Sequence, residues 1–298
     1  MSEPACVRLA TMAMRCRFEL VLFGDDELWL RSAGEAAIEE IEDTHAELTR
    51  FERDSVVSRI NRGGRQFVDA DVFDLLSLAE RVREESHGAF DLRMGGRGNV
   101  ELDDHARSVE VTNGAQLDLG GIAKGFAVDR AIAALWDAGI ENAFVHGGTS
   151  SAAGIGCGPD GEPWRVRLFD DDGPKVSLID QALSVSGEEH QPGHLVDPRT
   201  GQERRAPISE ACVGATAAAG DAWSTAIAVH GEGPLEPPSV LTVFRWRAAE
   251  EGAAVLGAVK PAEWGMGAPV SVGVERVDSE EHRSPVSRAM GGCVRVAN

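Results

Sequence analysis

Helical and strand patterns alternate irregularly along this 298-residue chain, and that mixture limits its fold more than any other feature. Phe18, Leu20 and Leu22 alternate with other residues ahead of the run Gly24-Asp25-Asp26, which predicts a strand that ends in a turn. Helices follow, but they do not keep the strand–helix–strand rhythm of a doubly wound parallel sheet. We therefore predict an α+β fold with an antiparallel sheet and packed helices.

Apolar spacing and end signals predict where the other elements lie. A capping box formed by Ser32 and Glu35 is predicted to start the first helix, which runs to about residue 50. Later helices are predicted over 72–82, closed by Gly88, over 121–139, and over 221–229. Further strands are predicted at 142–145, 164–169 and 240–244.

The domain organisation is predicted to be simple. We expect one main domain over residues 14–277, preceded by an N-terminal extension, 1–13, and followed by a C-terminal tail, 278–298. The tail is predicted to be loose because it is polar and contains Pro285 and Gly291-Gly292.

Charge and cysteine usage exclude several classes of function. The formal net charge of −20 disfavours nucleic acid and anionic membranes as partners, because both would repel the chain. The five cysteines are widely spaced with no CxxC pair, which argues against a disulfide framework or a zinc site. Residues 1–13 lack a signal-peptide pattern and no stretch is long enough to span a bilayer, so we expect a cytoplasmic protein without membrane insertion.

The densest chemical signal is the run Leu117-Asp118-Leu119-Gly120-Gly121-Ile122-Ala123-Lys124-Gly125. It passes from a strand through two glycines into a helix, where glycines let the backbone approach a ligand closely. A helix start offers free N–H groups and a positive dipole end to a phosphate, and Lys124 would add a cation. The alternative is a tight strand-to-helix turn with a surface lysine.

A second signal is the pair Asp221 and Thr225, whose spacing places both oxygens on one face of a helix. A carboxylate, a hydroxyl and a backbone carbonyl suit Mg²⁺, which prefers hard oxygen ligands and shares them with substrate phosphates. Taken alone, a capping aspartate and an ordinary threonine would explain the same pair.

A third signal is the segment 194–201, in which His194 precedes an Asp-Pro and a Thr-Gly turn. His194 could serve as a general base, although a histidine packed beside a turn is the simpler alternative. His146, beside two glycines, and His190 compete for that role. Two further segments stand out only as polar structure: 88–91 as a helix cap with an Asx turn, and 50–61 as a loop.

In their order along the chain, these segments resemble the flavin transferase family known as ApbE, the FAD:protein FMN transferases. The resemblance runs from about Met14 to Phe244 and rests on four ordered blocks, 88–91, 118–130, 194–201 and 221–225. It implies an α+β fold of the kind called T-fold-like. It also implies FAD contacts at nine positions, namely Met14, Phe51, Ala89, Phe90, Asp91, Asp118, Lys124, Leu195 and Val196.

The resemblance further implies a metal site, a catalytic base and an activity. Mg²⁺ would be held by the backbone carbonyl of Gly121 and the side chains of Asp221 and Thr225, and the catalytic histidine matches His194. The implied activity transfers the FMN moiety of FAD to a Thr or Ser hydroxyl of an acceptor protein and releases AMP. The alternatives are a Mg²⁺-dependent FAD pyrophosphatase and a non-catalytic FAD-binding protein.

This chain departs from the family pattern at several positions. Met14-Arg15-Cys16 replaces the usual Met-Gly-Thr, and Leu92-Arg93 stands where Pro-Thr often follows Phe-Asp. Thr149 replaces an Asp after two glycines, and Gly193 replaces a Ser before the histidine. The segment between Ser186 and the histidine is short and lacks the usual arginine. These changes fall on the flavin-ring and acceptor sides and leave the metal ligands and the histidine in place.

Overall fold

The computed structural model describes residues 4–168, 175–187, 195–204, 208–231, 235–247, 254–259, 274–275 and 293–295. The helices in these ranges are α1 Glu27–Leu48, α2 Val56–Asn61, α3 Ala70–Glu85, α4 Ala123–Asp137 and α5 Ala217–His230. The strands are β1 Ala5–Ala13, β2 Cys16–Gly24, β3 Gln66–Phe67, β4 Asn99–Asp103, β5 Ser108–Thr112, β6 Asn142–Gly147, β7 Ser151–Ile155, β8 Trp164–Arg167, β9 Lys175–Leu178, β10 Gln181–Ser186, β11 Ile208–Gly214, β12 Thr242–Arg247, β13 Ala254–Val259, β14 Val274–Glu275 and β15 Cys293–Arg295.

Eight of these strands form one antiparallel sheet in the order β1-β2-β6-β7-β10-β11-β12-β13. A four-stranded sheet has the order β14-β9-β8-β15, and a three-stranded sheet has the order β3-β5-β4. Helices and antiparallel strands therefore coexist without a parallel βαβ core, which confirms the predicted α+β class.

The main sheet is covered on both faces. Helices α1, α4 and α5 pack against one face, and the four-stranded sheet packs against the other. Between the main sheet and the four-stranded sheet, Trp164 on β8 packs against Phe144 on β6, with 5.4 Å between the ring centroids. Apolar side chains with period two along the strands thus serve two separate cores, one on each side.

Two predicted helix starts are wrong. The first helix does not begin at a capping box of Ser32 and Glu35, because Asp26 caps it earlier by accepting hydrogen bonds from the backbone N–H groups of Leu28 and Trp29. The helix predicted over 221–229 begins at Ala217, so Asp221 lies inside it and is not its cap. The first helix thus starts at a stronger local cap than the one we predicted, whereas the start of α5 has no side-chain cap from its own N-cap residue, Thr216.

The ends of the chain contain ordered elements. Residues 5–13, which we assigned to an N-terminal extension, form β1 and pair with β2 along its whole length. Within the predicted C-terminal tail, residues 293–295 form β15 beside β8. None of the helices in the described ranges is both long and apolar enough to cross a bilayer.

Candidate functional site

A cavity of about 810 Å³ opens at the end of the main sheet where β2 begins and β6 and β10 end. Its size is in the range of small-molecule and cofactor sites. The walls contain nearly all the residues that the sequence singled out: Met14, Ala89, Phe90, Asp91, Asp118, Gly121, Lys124, Leu195, Val196, Asp221 and Thr225. Segments more than 200 residues apart along the chain therefore meet at one cavity, an arrangement that the family resemblance implied.

Two predicted site residues are not placed in this cavity. Phe51 is 73% exposed, and its ring lies under the guanidinium of Arg50, 4.3 Å from the ring centroid, so it does not line the cavity. His194 lies outside the described residues, as does His190. Leu195, the next residue after His194, does line the cavity. A flavin contact by Phe51 and a catalytic role for His194 stay predictions.

The segment before α4 presents few free backbone donors. The N–H groups of Ile122 and Ala123 both donate to the Leu119 carbonyl, and that of Gly120 donates to the Asp118 carboxylate at 2.9 Å. The N–H groups of Gly121 and Lys124 have no hydrogen-bond partner among the described residues. A phosphate at this helix start would therefore meet these two amides and the Lys124 ammonium.

The Asp221 carboxylate faces this helix start from α5. It is 2% exposed and accepts one hydrogen bond, from the Gly125 N–H at 3.1 Å; no other described residue donates to it. Burial raises its pKa, and the nearby charge of Lys124 and the Gly125 hydrogen bond oppose that effect. A buried carboxylate with spare acceptor capacity is the environment that a bound cation would stabilise.

Thr225 and Gly121 lie beside Asp221 and complete a set of oxygen donors. The Thr225 hydroxyl is 3.2 Å from the Ser186 hydroxyl. A Cβ atom at Gly121 would lie 3.8 Å from Thr225 Oγ1 and 3.2 Å from the Phe90 ring, so a side chain there would fill the space between them. No group of three or more His, Cys, Asp or Glu side chains in the described ranges could hold a metal ion. Any ion here must therefore use hydroxyl, carbonyl or ligand oxygens besides Asp221.

Helices α4 and α5 are fixed to each other near the cavity. The Asp129 carboxylate on α4 accepts hydrogen bonds from the Ala217 and Ala218 N–H groups, at 2.7 and 2.8 Å. It thereby caps the start of α5 from a neighbouring helix. A Cβ atom on Gly125 would come within 2.3 Å of the Ala217 carbonyl oxygen, so only glycine permits this approach. Asp129 lies in the block 118–130 of the family resemblance, but the sequence did not reveal that it caps α5.

The polar segment 50–61, which we interpreted as a loop, is a loop only at its start, because 56–61 form α2; it supports the extended segment that precedes α4. The Arg50 guanidinium pairs with the Asp118 carboxylate at 2.8 Å. The Asn61 side chain accepts from the Leu117 N–H and donates to the Leu117 carbonyl, at 2.6 and 2.9 Å. These contacts hold Asp118 at the cavity wall. No local pattern announces them, because each joins residues more than 50 positions apart.

Two Asp-x-Arg pairs hold the loops on either side of the cavity. Arg93 donates to both oxygens of Asp91 and to the Gly98 carbonyl, and Arg199 donates to both oxygens of Asp197. Each Asp also accepts a hydrogen bond from the backbone N–H of the residue two positions later, which forms an Asx turn. The turn at Asp91 is the one that the sequence predicted for the segment 88–91. Sequence reasoning treated Arg93 only as a departure from a family pattern. The structure places it in the cavity wall.

The turn between β1 and β2 brings two more side chains to the cavity. Ala13 pairs with Cys16, so Met14 and Arg15 alone form the connection, with φ angles of 51° and 64°. This is the conformation of a type I′ hairpin turn, which Asn and Gly normally occupy. Met14, Arg15 and Cys16 all line the cavity. Burial raises the pKa of the Cys16 thiol, while the Lys124 charge opposes that effect.

His146, the remaining candidate base, is committed elsewhere. Its ring nitrogens lie 3.0 Å from the Glu19 carboxylate and 3.2 Å from the Gly148 carbonyl, and it does not line the cavity. Partial burial raises the pKa of Glu19, but the hydrogen bonds and charges of His146 and Arg17 outweigh it and hold that pKa below its ordinary value. His146 is therefore part of a strand-to-strand contact.

The cavity is locally basic although the chain carries a net charge of −20. Arg15, Lys124 and Arg167 line it beside the Arg93–Asp91 pair; Asp118 is paired with Arg50, and Asp221 is the remaining acidic residue of the lining. Local cations in a confined site can outweigh a distant opposing field, so the site suits an anionic ligand.

Comparison with known proteins gives a consistent result. The sequence model of the ApbE family matches residues 12–235. An FAD:protein FMN transferase of Rhodobacter capsulatus is 34% identical over 131 residues, which cover 39% of this chain but only 24% of that protein. An FAD:protein FMN transferase of Klebsiella pneumoniae (strain 342) is 24% identical over 267 residues, covering 72% of this chain and 73% of that protein.

Solved structures agree with the sequence comparison. The crystal structure of the ApbE protein of Thermotoga maritima superposes with a TM-score of 0.74 at 26% identity, covering 84% of this chain and 96% of that one. The Pseudomonas stutzeri flavinyl transferase ApbE shares the fold, with a TM-score of 0.71 at 21% identity over 87% of this chain and 96% of that one.

Proposed function

Because the chain belongs to the ApbE family, we propose that it transfers the FMN moiety of FAD to a hydroxyl group of an acceptor protein. One observation carries the proposal. The α4 start, with Gly121 and Lys124, and the buried carboxylate of Asp221 face the same cavity of about 810 Å³. A helix start with a lysine, opposite a carboxylate with spare acceptor capacity, is an arrangement that suits a metal-bound pyrophosphate.

The donor set fits Mg²⁺. Asp221 offers a buried carboxylate with one accepted hydrogen bond, Thr225 offers a hydroxyl on the next turn of α5, and the Gly121 carbonyl belongs to the segment beside them. These are hard oxygen ligands, and substrate phosphate oxygens would supply others. When bound, Mg²⁺ would neutralise charge on the phosphate oxygens and on the departing AMP.

The proposed reaction exchanges one bond to phosphorus for another. A Thr or Ser hydroxyl oxygen of the acceptor bonds to the FMN phosphorus, and the bond from that phosphorus to the bridging oxygen breaks. The bridging oxygen leaves with AMP. We assign the hydroxyl proton to His194, which directly precedes the cavity-lining Leu195 in the chain. Lys124 and the free amides of Gly121 and Lys124 would hold the phosphates.

Mass spectrometry can test the proposal with purified protein, FAD, Mg²⁺ and candidate acceptor proteins. Transfer predicts an acceptor heavier by one FMN moiety and one AMP released per modification. Free FMN and AMP without modified acceptor would indicate an FAD pyrophosphatase, and unchanged FAD would indicate a binding protein. His194→Ala should reduce the rate roughly a hundredfold or more while FAD affinity changes little. A folded variant with the wild-type rate would contradict that assignment. A cytoplasmic location also stays a prediction, which cell fractionation can test.

A further inference from the structure

The cavity offers little aromatic surface to a planar ring. The chain contains no tyrosine, and Phe90 is the one aromatic residue among the described residues that line the cavity. Phe90 is 3% exposed and packs into the core beside Gly121, so its face is not available for stacking. Phe51 lies outside the cavity against Arg50. Among the residues that line the cavity, an isoalloxazine ring would therefore contact apolar side chains of another kind.

Two methionines supply that kind of surface. Met14 and Met94 both line the cavity. Met14 is partly buried and packs against two of the buried apolar clusters, whereas Met94 is 46% exposed. A polarizable thioether makes favourable contacts with aromatic rings. An exposed apolar side chain on a cavity wall gains stability when a ligand covers it.

The backbone that carries Met94 is held in place before any ligand binds. The Met94 N–H donates to the Gln116 carbonyl at 2.8 Å. The preceding residue, Arg93, forms a β-bridge with Leu117, and its guanidinium is fixed by Asp91 and Gly98. Gly96 packs so closely on the Pro198 carbonyl that a Cβ atom would lie 2.6 Å from that oxygen. A side chain on a fixed backbone loses less entropy when it binds a ligand.

We infer that Met94 is a flavin-binding residue, which contacts the isoalloxazine ring of the substrate beside Met14, the methionine that the family resemblance already assigns to FAD. This inference rests on the proposed function, because it assumes that the cavity binds FAD. It adds a contact from the 93–98 loop, where this chain carries Leu92-Arg93 after Asp91. Because the contact is to the ring, its loss should weaken the binding of every ligand that contains the ring. The binding of ligands that lack the ring should not change.

Ligand titration of the purified protein tests this inference. Dissociation constants for riboflavin, FMN, FAD and ADP would be measured with Mg²⁺ for wild type, Met94→Ala, Met94→Leu and Met12→Ala. Met12 is the matched control, because it is an equally flexible methionine, 69% exposed, that does not line the cavity. We expect Met94→Ala to weaken binding of all three flavins about tenfold and to leave ADP binding unchanged. Met94→Leu should restore most of the flavin affinity.

Each other outcome overturns the inference. Unchanged flavin affinity in Met94→Ala would show that the side chain does not contact the ring. Equal weakening of flavins and ADP would show a general change in the cavity, as would a similar loss in Met12→Ala. Failure of the proposed function gives a different result: wild-type protein would bind none of the flavins, or would bind FAD without transferring FMN.

Discussion

The Asp221 carboxylate on α5 accepts a hydrogen bond from the Gly125 N–H on α4, at 3.1 Å. This contact joins the helix proposed to bind phosphate to the helix proposed to bind metal. The helices can approach so closely because Gly125 has no side chain and meets the Ala217 carbonyl directly. The geometry of the two proposed ligand sites therefore depends on how closely α4 and α5 pack.

Gly125→Ala should disturb that contact. The added Cβ would lie 2.3 Å from the Ala217 oxygen, so the helices must separate or shift. We expect a loss of about 1–3 kcal/mol in the free energy of unfolding, as for other overpacked sites, together with weaker Mg²⁺-dependent FAD binding. Urea denaturation and FAD titration would measure the two effects.

Gly24→Ala provides the control for this substitution. Gly24 lies at the end of β2, where an added Cβ would meet only the flexible Leu30 side chain, at 3.2 Å. FAD binding should stay at the wild-type level in this variant. If Gly125→Ala were as stable as wild type and bound FAD normally, the helix–helix contact would not control the site.

Asp129 predicts a pH dependence of stability. Burial raises its pKa from 3.8 to about 7; the hydrogen bonds from Ala218 and Ala217 oppose the shift, and the charge of Asp221 adds to it. The unfolded chain loses this proton near pH 4, but the folded chain keeps it until about pH 7. The stability that the group contributes is therefore fully present below about pH 4 and is lost as the pH rises towards 7, at up to about 1.4 kcal/mol per pH unit.

Asp129→Asn isolates this contribution because an amide does not titrate. Urea denaturation at intervals between pH 4.5 and 8 should give a flatter dependence than wild type, by about one proton. Asp137→Asn, at the exposed end of the same helix, should follow the wild-type curve. An Asp129→Asn curve parallel to wild type would mean that Asp129 titrates normally in the folded chain.

The turn at Met14-Arg15 predicts a gain in stability. A non-glycine residue in the left-handed region costs about 1 kcal/mol or more, and Arg15 has a φ of 64°. Arg15→Gly should therefore raise the free energy of unfolding by about 1 kcal/mol. Arg17→Gly, in the extended part of β2, should lower it by about 0.5–1 kcal/mol, because glycine weakens a strand. Thermal denaturation should show a higher stability for Arg15→Gly and a lower one for Arg17→Gly than for wild type. A destabilised Arg15→Gly variant would contradict the proposed strain at this turn.

The sequence predicted those parts of the site that depend on local chemistry. The run 117–125 predicted a strand, two glycines and a helix start; the structure has the glycines and a helix that begins at Ala123, but Leu117 forms only an isolated β-bridge with Arg93 and no strand. The i, i+4 spacing of Asp221 and Thr225 placed both side chains on one face of a helix, and both line the cavity. Such patterns are readable because neighbouring residues determine them.

Other parts of the site depend on contacts between distant segments and could not be predicted in that way. In the sequence, Asn61 and Asp129 look like ordinary polar residues. Their hydrogen bonds to Leu117 and Ala217 form only when the fold brings these distant segments together. Phe51 has a tertiary setting of the same kind: its ring lies under the Arg50 guanidinium, which pairs with Asp118, and a flavin contact by Phe51 stays a prediction. Tertiary contacts decided these cases, and local patterns did not report them.

Thr225 offers the most direct test of the metal site. Valine has nearly the same shape as threonine but lacks the hydroxyl, so Thr225→Val removes one proposed Mg²⁺ ligand without opening a cavity. It also removes the hydrogen-bond partner of the Ser186 hydroxyl, which still keeps its contact with Ser224 at 2.9 Å. We expect the Mg²⁺ concentration needed for half-maximal FAD binding to rise by at least about tenfold. Thr225→Ser retains the hydroxyl and should restore most of the Mg²⁺ response.

Thr216→Val is the matched control, because Thr216 is exposed just before α5 and its side chain forms no capping hydrogen bond. Titration of FAD binding with Mg²⁺, followed by removal of the metal with a chelator, measures the effect for all four proteins. If Thr225→Val responded to Mg²⁺ like wild type, Thr225 would not be a ligand, and the proposed ion would have to be bound by Asp221 with backbone and phosphate oxygens alone.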